Sequence, residues 1–328
     1  MHASALRRVL AAPMVVAVLA AGAFAAAGCS GSGSDNPASG DATASTSSRS
    51  SRSPSTDDGD EKVTVAAAEA GPRWASSASA TITPGTQTYT DGAGQCTSNY
   101  VFVDDAGNVY LGQAAHCATS EETGETDGCI AGSLPVGTTV AFNRDGSLIS
   151  HGRTIGSGRL VYSSWLTMQQ NGEKDRNACA YNDFALVKIA AADLGKVNPS
   201  LPHWGGPTGI NTTGAAAGGR VYSYGNSSLR GGISGLSPQV GESENDDPAV
   251  GGWTHTLTAP TPGIPGDSGS AFLDRDGRAL GTLSTLGIAL PIVNHVGDIH
   301  QELDYARTHS GISGLRLVLG TEPFDPNR

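Results

Sequence analysis

Residues 100–117 read YVFVDDAGNVYLGQAAHC. Tyr100-Val101-Phe102-Val103 and Val109-Tyr110-Leu111 are short apolar, β-favouring runs, and Asp105-Ala106-Gly107-Asn108 between them carries turn residues. The stretch therefore reads as strand, turn, strand, followed directly by a histidine and a cysteine. Similar punctuation stands at Asn143-Arg144-Asp145-Gly146 and at Asp274-Arg275-Asp276-Gly277. The second of these has the D-x-D-G opening of a calcium loop but lacks the later acidic ligand, so a hairpin turn is expected there.

The rest of the chain has the same character. It has 328 residues with 45 glycines, 16% charged and 5% aromatic residues, and turn signals recur every ~10 residues. That composition favours a sandwich or barrel over a helical fold. One clear helical pattern is present, in VGDIHQELDYARTH over 296–309, where Ile299, Leu303 and Ala306 recur at i, i+4 and i+7. The formal net charge of −11 leaves no electrostatic footprint for nucleic acid or anionic lipid.

The N-terminus sets two arginines, Arg7 and Arg8, before an apolar run that ends in small residues, the layout of a secretory signal peptide over 1–28. A membrane-spanning helix is the alternative for the same run. Ala26-Ala27-Gly28-Cys29 resembles a bacterial lipobox, with Ala26 where leucine is usual, so lipidation of Cys29 and ordinary cleavage before it both stay open. Residues 29–78 are rich in Ser, Gly, Asp, Ala and Thr and cannot bury enough surface to offset ordering. They are expected to form a tether spanning on the order of 40 Å; a propeptide is the rival reading. Five cysteines, Cys29, Cys96, Cys117, Cys129 and Cys179, become four if Cys29 carries lipid. Four cysteines allow three connectivities, and no C-x-x-C spacing points to zinc.

GIPGDSGSAFLD, residues 263–274, places Ser268 among glycines and prolines just ahead of a predicted hairpin. A serine hydroxyl is a poor nucleophile without an adjacent base and an orienting carboxylate. Ala114-Ala115-His116-Cys117, Asn182-Asp183-Phe184-Ala185-Leu186 and Gly266-Asp267-Ser268-Gly269-Ser270, in the order His, Asp, Ser, resemble the catalytic segments of the trypsin and chymotrypsin family of serine peptidases. The resemblance covers roughly 90–310 and is closest in appearance to secreted actinobacterial members. The triad order and setting of an α/β-hydrolase do not fit.

The resemblance implies an all-β fold of two six-stranded antiparallel barrels with a C-terminal helix, over 79–195 and 196–310, leaving 311–328 as a tail. Its Leu315-Arg316-Leu317-Val318-Leu319 run would add an edge strand or dock a partner. The resemblance further implies His116 as general base, Asp183 as its orienting carboxylate, Ser268 as nucleophile and the N–H groups of Gly266 and Ser268 as oxyanion hole. Ser284 resembles the serine that supports the triad carboxylate; a plain core-strand serine is the other reading. The family's usual disulfide implies Cys96–Cys117, which leaves Cys129–Cys179.

Pro262 stands where trypsin-like members carry the acid of the primary pocket, so cleavage after Arg or Lys lacks its charge partner. With Ser284, Thr285 and Leu286 as further wall residues, a small or medium apolar preference is expected. The Ile-Val-Gly-Gly start that pairs with the acid before the nucleophile in many relatives is absent. Asp267 therefore needs another partner, with Arg220 and Arg230 as candidates. The implied chemistry needs no cofactor or metal. The expected function is that of an exported, monomeric serine endopeptidase acting on peptide or protein substrates, touching a membrane only through a lipid on Cys29. A catalytically silent binding protein and an esterase on the same scaffold are the alternatives.

Overall fold

The hairpin predicted at 100–111 is present, as β3 (Val101–Val103) and β4 (Val109–Gln113) in antiparallel register. Its turn is held by Asp104, which accepts from the Asn108 N–H at 2.8 Å, and Gly107 takes a positive φ of 76°. The 274–277 turn is built the same way: Asp274 accepts from the N–H groups of Asp276 and Arg278 at 2.8 and 2.9 Å. These side-chain turns explain why Asx-Gly punctuation read correctly as hairpins.

The computed structural model describes residues 72–119, 125–244, 247–287 and 292–328. The expected signal peptide, Cys29 and the tether up to residue 71 lie outside these residues. Trp74 seats against the core of the first sheet, while Ala75 N–H donates to Val197 O at 2.8 Å.

The first sheet also contains β1 (Gln87–Thr90), β2 (Gln95–Thr97), β5 (Thr139–Arg144), β6 (Arg153–Ser163) and β7 (Ala185–Ile189). Strand β14 (Arg316–Leu317), from the C-terminal tail, pairs with β3, giving the order β14-β3-β4-β7-β6-β5-β1-β2. The second sheet is a closed six-stranded barrel of β8 (Arg220–Tyr224), β9 (Pro238–Ser243), β10 (Thr254–Thr258), β11 (Ala271–Leu273), β12 (Ala279–Gly287) and β13 (Val293–Asp298).

The fold class is thus the expected all-β one, with a difference in the first layer, which has eight strands among the described residues where six were expected. Two effects account for it. Segments β2 and β3 are successive halves of one stretch, 95–103, that bends at Ser98–Tyr100 and so belongs to both ends of the layer. The tail then adds β14 outside β3, which fulfils the edge-strand reading of 315–319.

Among the described residues, three α-helices accompany the sheets: α1 (Ser164–Asn171), α2 (Arg176–Tyr181) and α3 (Ile299–His309). Helix α3 is the predicted one, begun three residues later because Val296, Gly297 and Asp298 remain in β13. Asp298 caps it, accepting from Gln301 N–H at 2.8 Å. Helices α1 and α2 escaped the periodicity argument because eight and six residues do not sustain an apolar stripe. Their caps were legible: Ser163 before α1, left-handed Gly172 after it, and Asp175 before α2. Among the described residues no helix is long and apolar enough to cross a membrane.

The two layers are joined by a core cluster running from Tyr100, Phe184 and Leu186 to Trp204, Tyr222 and Leu273. Buried Tyr100 donates its hydroxyl to Phe272 O at 2.5 Å, which satisfies the polar end of an otherwise apolar ring. Next to it, Thr97 N–H donates to Ser268 O at 2.8 Å, so the bent stretch of the first layer touches the candidate nucleophile of the second.

Candidate active site

His116 lies in a short 3-10 turn, residues 115–118, directly after β4. A disulfide joins its neighbour Cys117 to Cys96, and a second joins Cys129 to Cys179. Asp183 sits between the end of α2 and the start of β7. Its carboxylate accepts from His116 twice: backbone N–H to Oδ1 at 2.9 Å, and imidazole Nδ1 to Oδ2 at 2.6 Å. Ser284 Oγ donates to the same Oδ2 at 2.6 Å. Asp183 is 3% exposed at its side chain and His116 26%, so the pair joins a buried anion to a base that still reaches the cleft.

This geometry sets the protonation behaviour of the pair. Burial pulls the His116 imidazole down, but the charge of Asp183 and the hydrogen bond to it outweigh that, and its pKa is raised above 6.5. Burial pushes Asp183 up, yet the His116 charge and the donors on its oxygens hold its carboxyl below the usual carboxylate range.

Ser268 lies across a cavity of about 350 Å³ that His116, Asp183, Ser284, Thr285 and Leu286 also line. The turn before it follows from the residues Ile264-Pro265-Gly266-Asp267. Asp267 N–H donates to Ile264 O at 2.8 Å while Gly266 takes φ 94°, the pattern of a type II turn with Pro and Gly at its centre. A Cβ on Gly266 would also lie 2.2 Å from Gln95 Oε1. The carbonyl of Gly266 is held by Gln95 Nε2 at 2.9 Å and Thr97 Oγ1 at 2.7 Å. Among the described residues, the N–H groups of Gly266 and Ser268 have no intramolecular acceptor.

Asp267 is fully buried, and its partner is Arg230, whose guanidinium bonds both carboxylate oxygens. Ser227 N–H and Ile264 N–H add donors at 2.9 and 3.1 Å. Of the two sequence candidates, Arg220 lines a different cavity, on the outside of the barrel.

Pro262 stands apart from the site residues. It lines that same outer cavity with Arg220, Val240 and Ile292, and the walls near Ser268 are Ile264 and Pro265 instead. Between the two, Gly263 N–H donates to Asn294 Oδ1 of β13 at 3.0 Å. Two further residues were not read from the sequence. Trp165, the second residue of α1, lines the cleft 6.3 Å from the His116 ring. Glu302, on the buried face of α3, accepts from the Asp183 N–H at 3.2 Å. The signal for Glu302 was its place three residues after Ile299, on the apolar stripe.

Cysteine-bearing clusters at His116 and at Asp127 bring three ligand-type residues together, but their sulfurs are disulfide-bonded and offer no thiolate to a metal.

No family model matches the chain, and no curated protein matches it either. Similar solved structures include Thermobifida fusca protease A, 18% identical over 73% of this chain and 99% of that one, with a TM-score of 0.43. A Nocardiopsis protease is 17% identical over 72% and 98% of the two chains, TM-score 0.42. A Cellulomonas bogoriensis chymotrypsin is 16% identical over 72% and 98%, TM-score 0.43.

Proposed function

We propose that this chain is an exported, monomeric serine endopeptidase that hydrolyses peptide bonds through an acyl-enzyme on Ser268. The observation that carries this reading is the His116 Nδ1 to Asp183 Oδ2 hydrogen bond of 2.6 Å in the same cavity as Ser268. With Nδ1 engaged, the free ring nitrogen is Nε2, the one a general base needs to take the proton of a serine hydroxyl. Asp183 keeps the imidazole in that tautomer and stabilises the cation formed as Ser268 Oγ attacks the substrate carbonyl.

The N–H groups of Gly266 and Ser268, free of internal acceptors, are the proposed oxyanion donors, each worth ~3 kcal/mol in the transition state. His116 then returns the proton to the leaving amine, and water releases the acyl group by the same steps. The wall formed by Leu283, Thr285, Leu286 and Ile264 supports a small or medium apolar residue before the cleaved bond.

Export is proposed from the N-terminal run and Cys29, with lipid anchoring or free secretion as its two forms. The two disulfides suit an oxidising compartment. The test is to expose the purified protein, beside a Ser268→Ala control, to a fluorophosphonate and a mixed peptide library read by mass spectrometry. Labelling and cleavage that vanish in the control are expected. A folded, disulfide-paired protein that neither labels nor cleaves would refute the reading, and cleavage of small esters alone would turn it into an esterase.

A further inference from the structure

Glu302 is fully buried, an unusual place for a carboxyl group. It lies on the inward face of α3 with Ile299, Leu303 and Ala306. Its Oε1 accepts the backbone N–H of Asp183, and its Oε2 has no hydrogen-bond partner among the described residues. Room for it is made by Gly297 of β13, where a Cβ would lie 2.3 Å from Oε1. A sequence that inserts an acid into an apolar stripe and removes a side chain opposite it has built a slot for that acid.

Resting on the peptidase reading, we propose that Glu302 is a positioning residue: by accepting the Asp183 N–H it sets where the Asp183 carboxylate stands against His116 and Ser284.

The carboxyl holds its proton more tightly than an ordinary glutamate. Burial is the first reason, and the charges of Asp183 and Asp298 add to it, against the smaller help of the Asp183 N–H and the Thr282 hydroxyl, so its pKa is raised well above 4.5. An ionised group with one oxygen unpaired in this setting would carry a heavy desolvation cost. The groups facing it are Asp183 with His116 behind it, Asp298 paired to His255 at 2.9 Å, and the phenols of Tyr100 and Tyr162. An acceptor whose carboxyl resists ionisation holds the Asp183 backbone while limiting negative charge behind the triad.

The test uses the full chain with Glu302→Gln and Glu302→Met, read twice. The first readout is kcat and KM on a peptide substrate. The second is the His116 titration by NMR in a Ser268→Ala background, which needs no activity. Glutamine keeps a carbonyl acceptor, so kcat and the His116 titration stay within about twofold of the parent. Methionine removes the acceptor, so kcat falls about tenfold or more at nearly constant KM, and the His116 midpoint moves to lower pH as Asp183 loosens.

If the methionine variant does not fold, Gly297→Ala, which presses on the carboxyl without deleting it, is read the same way. A methionine or Gly297→Ala variant that only melts earlier, with kcat and the His116 midpoint unchanged, would overturn the proposal. So would a glutamine variant as impaired as methionine. A parent chain that never cleaves would sink the peptidase reading instead, and the NMR titration would still decide whether Glu302 positions Asp183.

Discussion

Ser284 Oγ and His116 Nδ1 share one acceptor, Oδ2 of Asp183, each at 2.6 Å. The serine thus fixes the carboxylate from the side of the second barrel while the histidine meets it from the first layer. A hydrogen bond to a charged group is typically worth ~1.5–3 kcal/mol. Ser284→Ala is expected to lower kcat/KM about tenfold, measured as initial rates on one peptide substrate. Unchanged rates would remove Ser284 from the machinery.

Raising of the His116 pKa has a consequence for activity. The base works only when neutral, so the acid limb of kcat/KM against pH is expected above 6.5. Asp183→Asn removes the charge that holds His116 up. The limb should then move to lower pH, with kcat reduced on the order of 10⁴-fold, because an amide in place of the carboxylate favours the wrong imidazole tautomer.

Stability follows the opposite course. A raised His116 value contributes stability that is complete below 6.5 and is lost as pH rises through the folded value. The lowered Asp183 value contributes stability that is complete above 3.8 and is lost as pH falls through its folded value. The pair's contribution is therefore fullest between 3.8 and 6.5, below the pH where the proposed activity develops. Urea denaturation across pH 3 to 9, comparing the parent with His116→Gln, should show the difference shrinking at both ends.

Arg230 is the cation paired to buried Asp267 among the described residues, and its own side chain is only 9% exposed. Arg230→Met would remove the cation from buried Asp267 and leave it only the donors of Ser227, Ile264 and Gln239. The expected loss is about 3–5 kcal/mol of stability together with most of the activity. Chemical denaturation and fluorophosphonate labelling rates read the two effects separately. A variant as stable as the parent would mean that the N–H donors alone hold Asp267.

The Cys96–Cys117 bridge closes a separation of 21 residues and ends beside His116. Replacing both cysteines by serine is expected to cost about 3 kcal/mol. Because the bridge borders the base, kcat should fall as well, whereas the paired Cys129→Ser and Cys179→Ser exchange should act mainly on stability. Melting curves and initial rates of the two double variants make the comparison.

Much of this was legible early for a physical reason. Hairpins at 100–111 and 274–277 announce themselves because an Asx side chain and a glycine complete the turn within four residues. Helix α3 was legible through one apolar stripe and one cap. Pro262 lines a different cavity from the one beside Ser268, where Ile264 and Pro265 stand, a placement that counting back from the nucleophile does not give.

The amino-acid sequence by itself determined the all-β class, the hairpins, the His116, Asp183 and Ser268 segments and the Pro265-Gly266 turn. These depend on alternation, turn chemistry and motif order, all of which act over a few neighbouring residues. Only the tertiary structure decided that Arg230 rather than Arg220 meets Asp267, that the tail becomes β14, and that Glu302 stands behind Asp183. Asp267 and its arginine are separated by 37 residues, and Asp183 and Glu302 by 119. At such separations nothing local distinguishes one buried partner from another, and the choice falls to which side chains the packed layers bring within hydrogen-bonding reach.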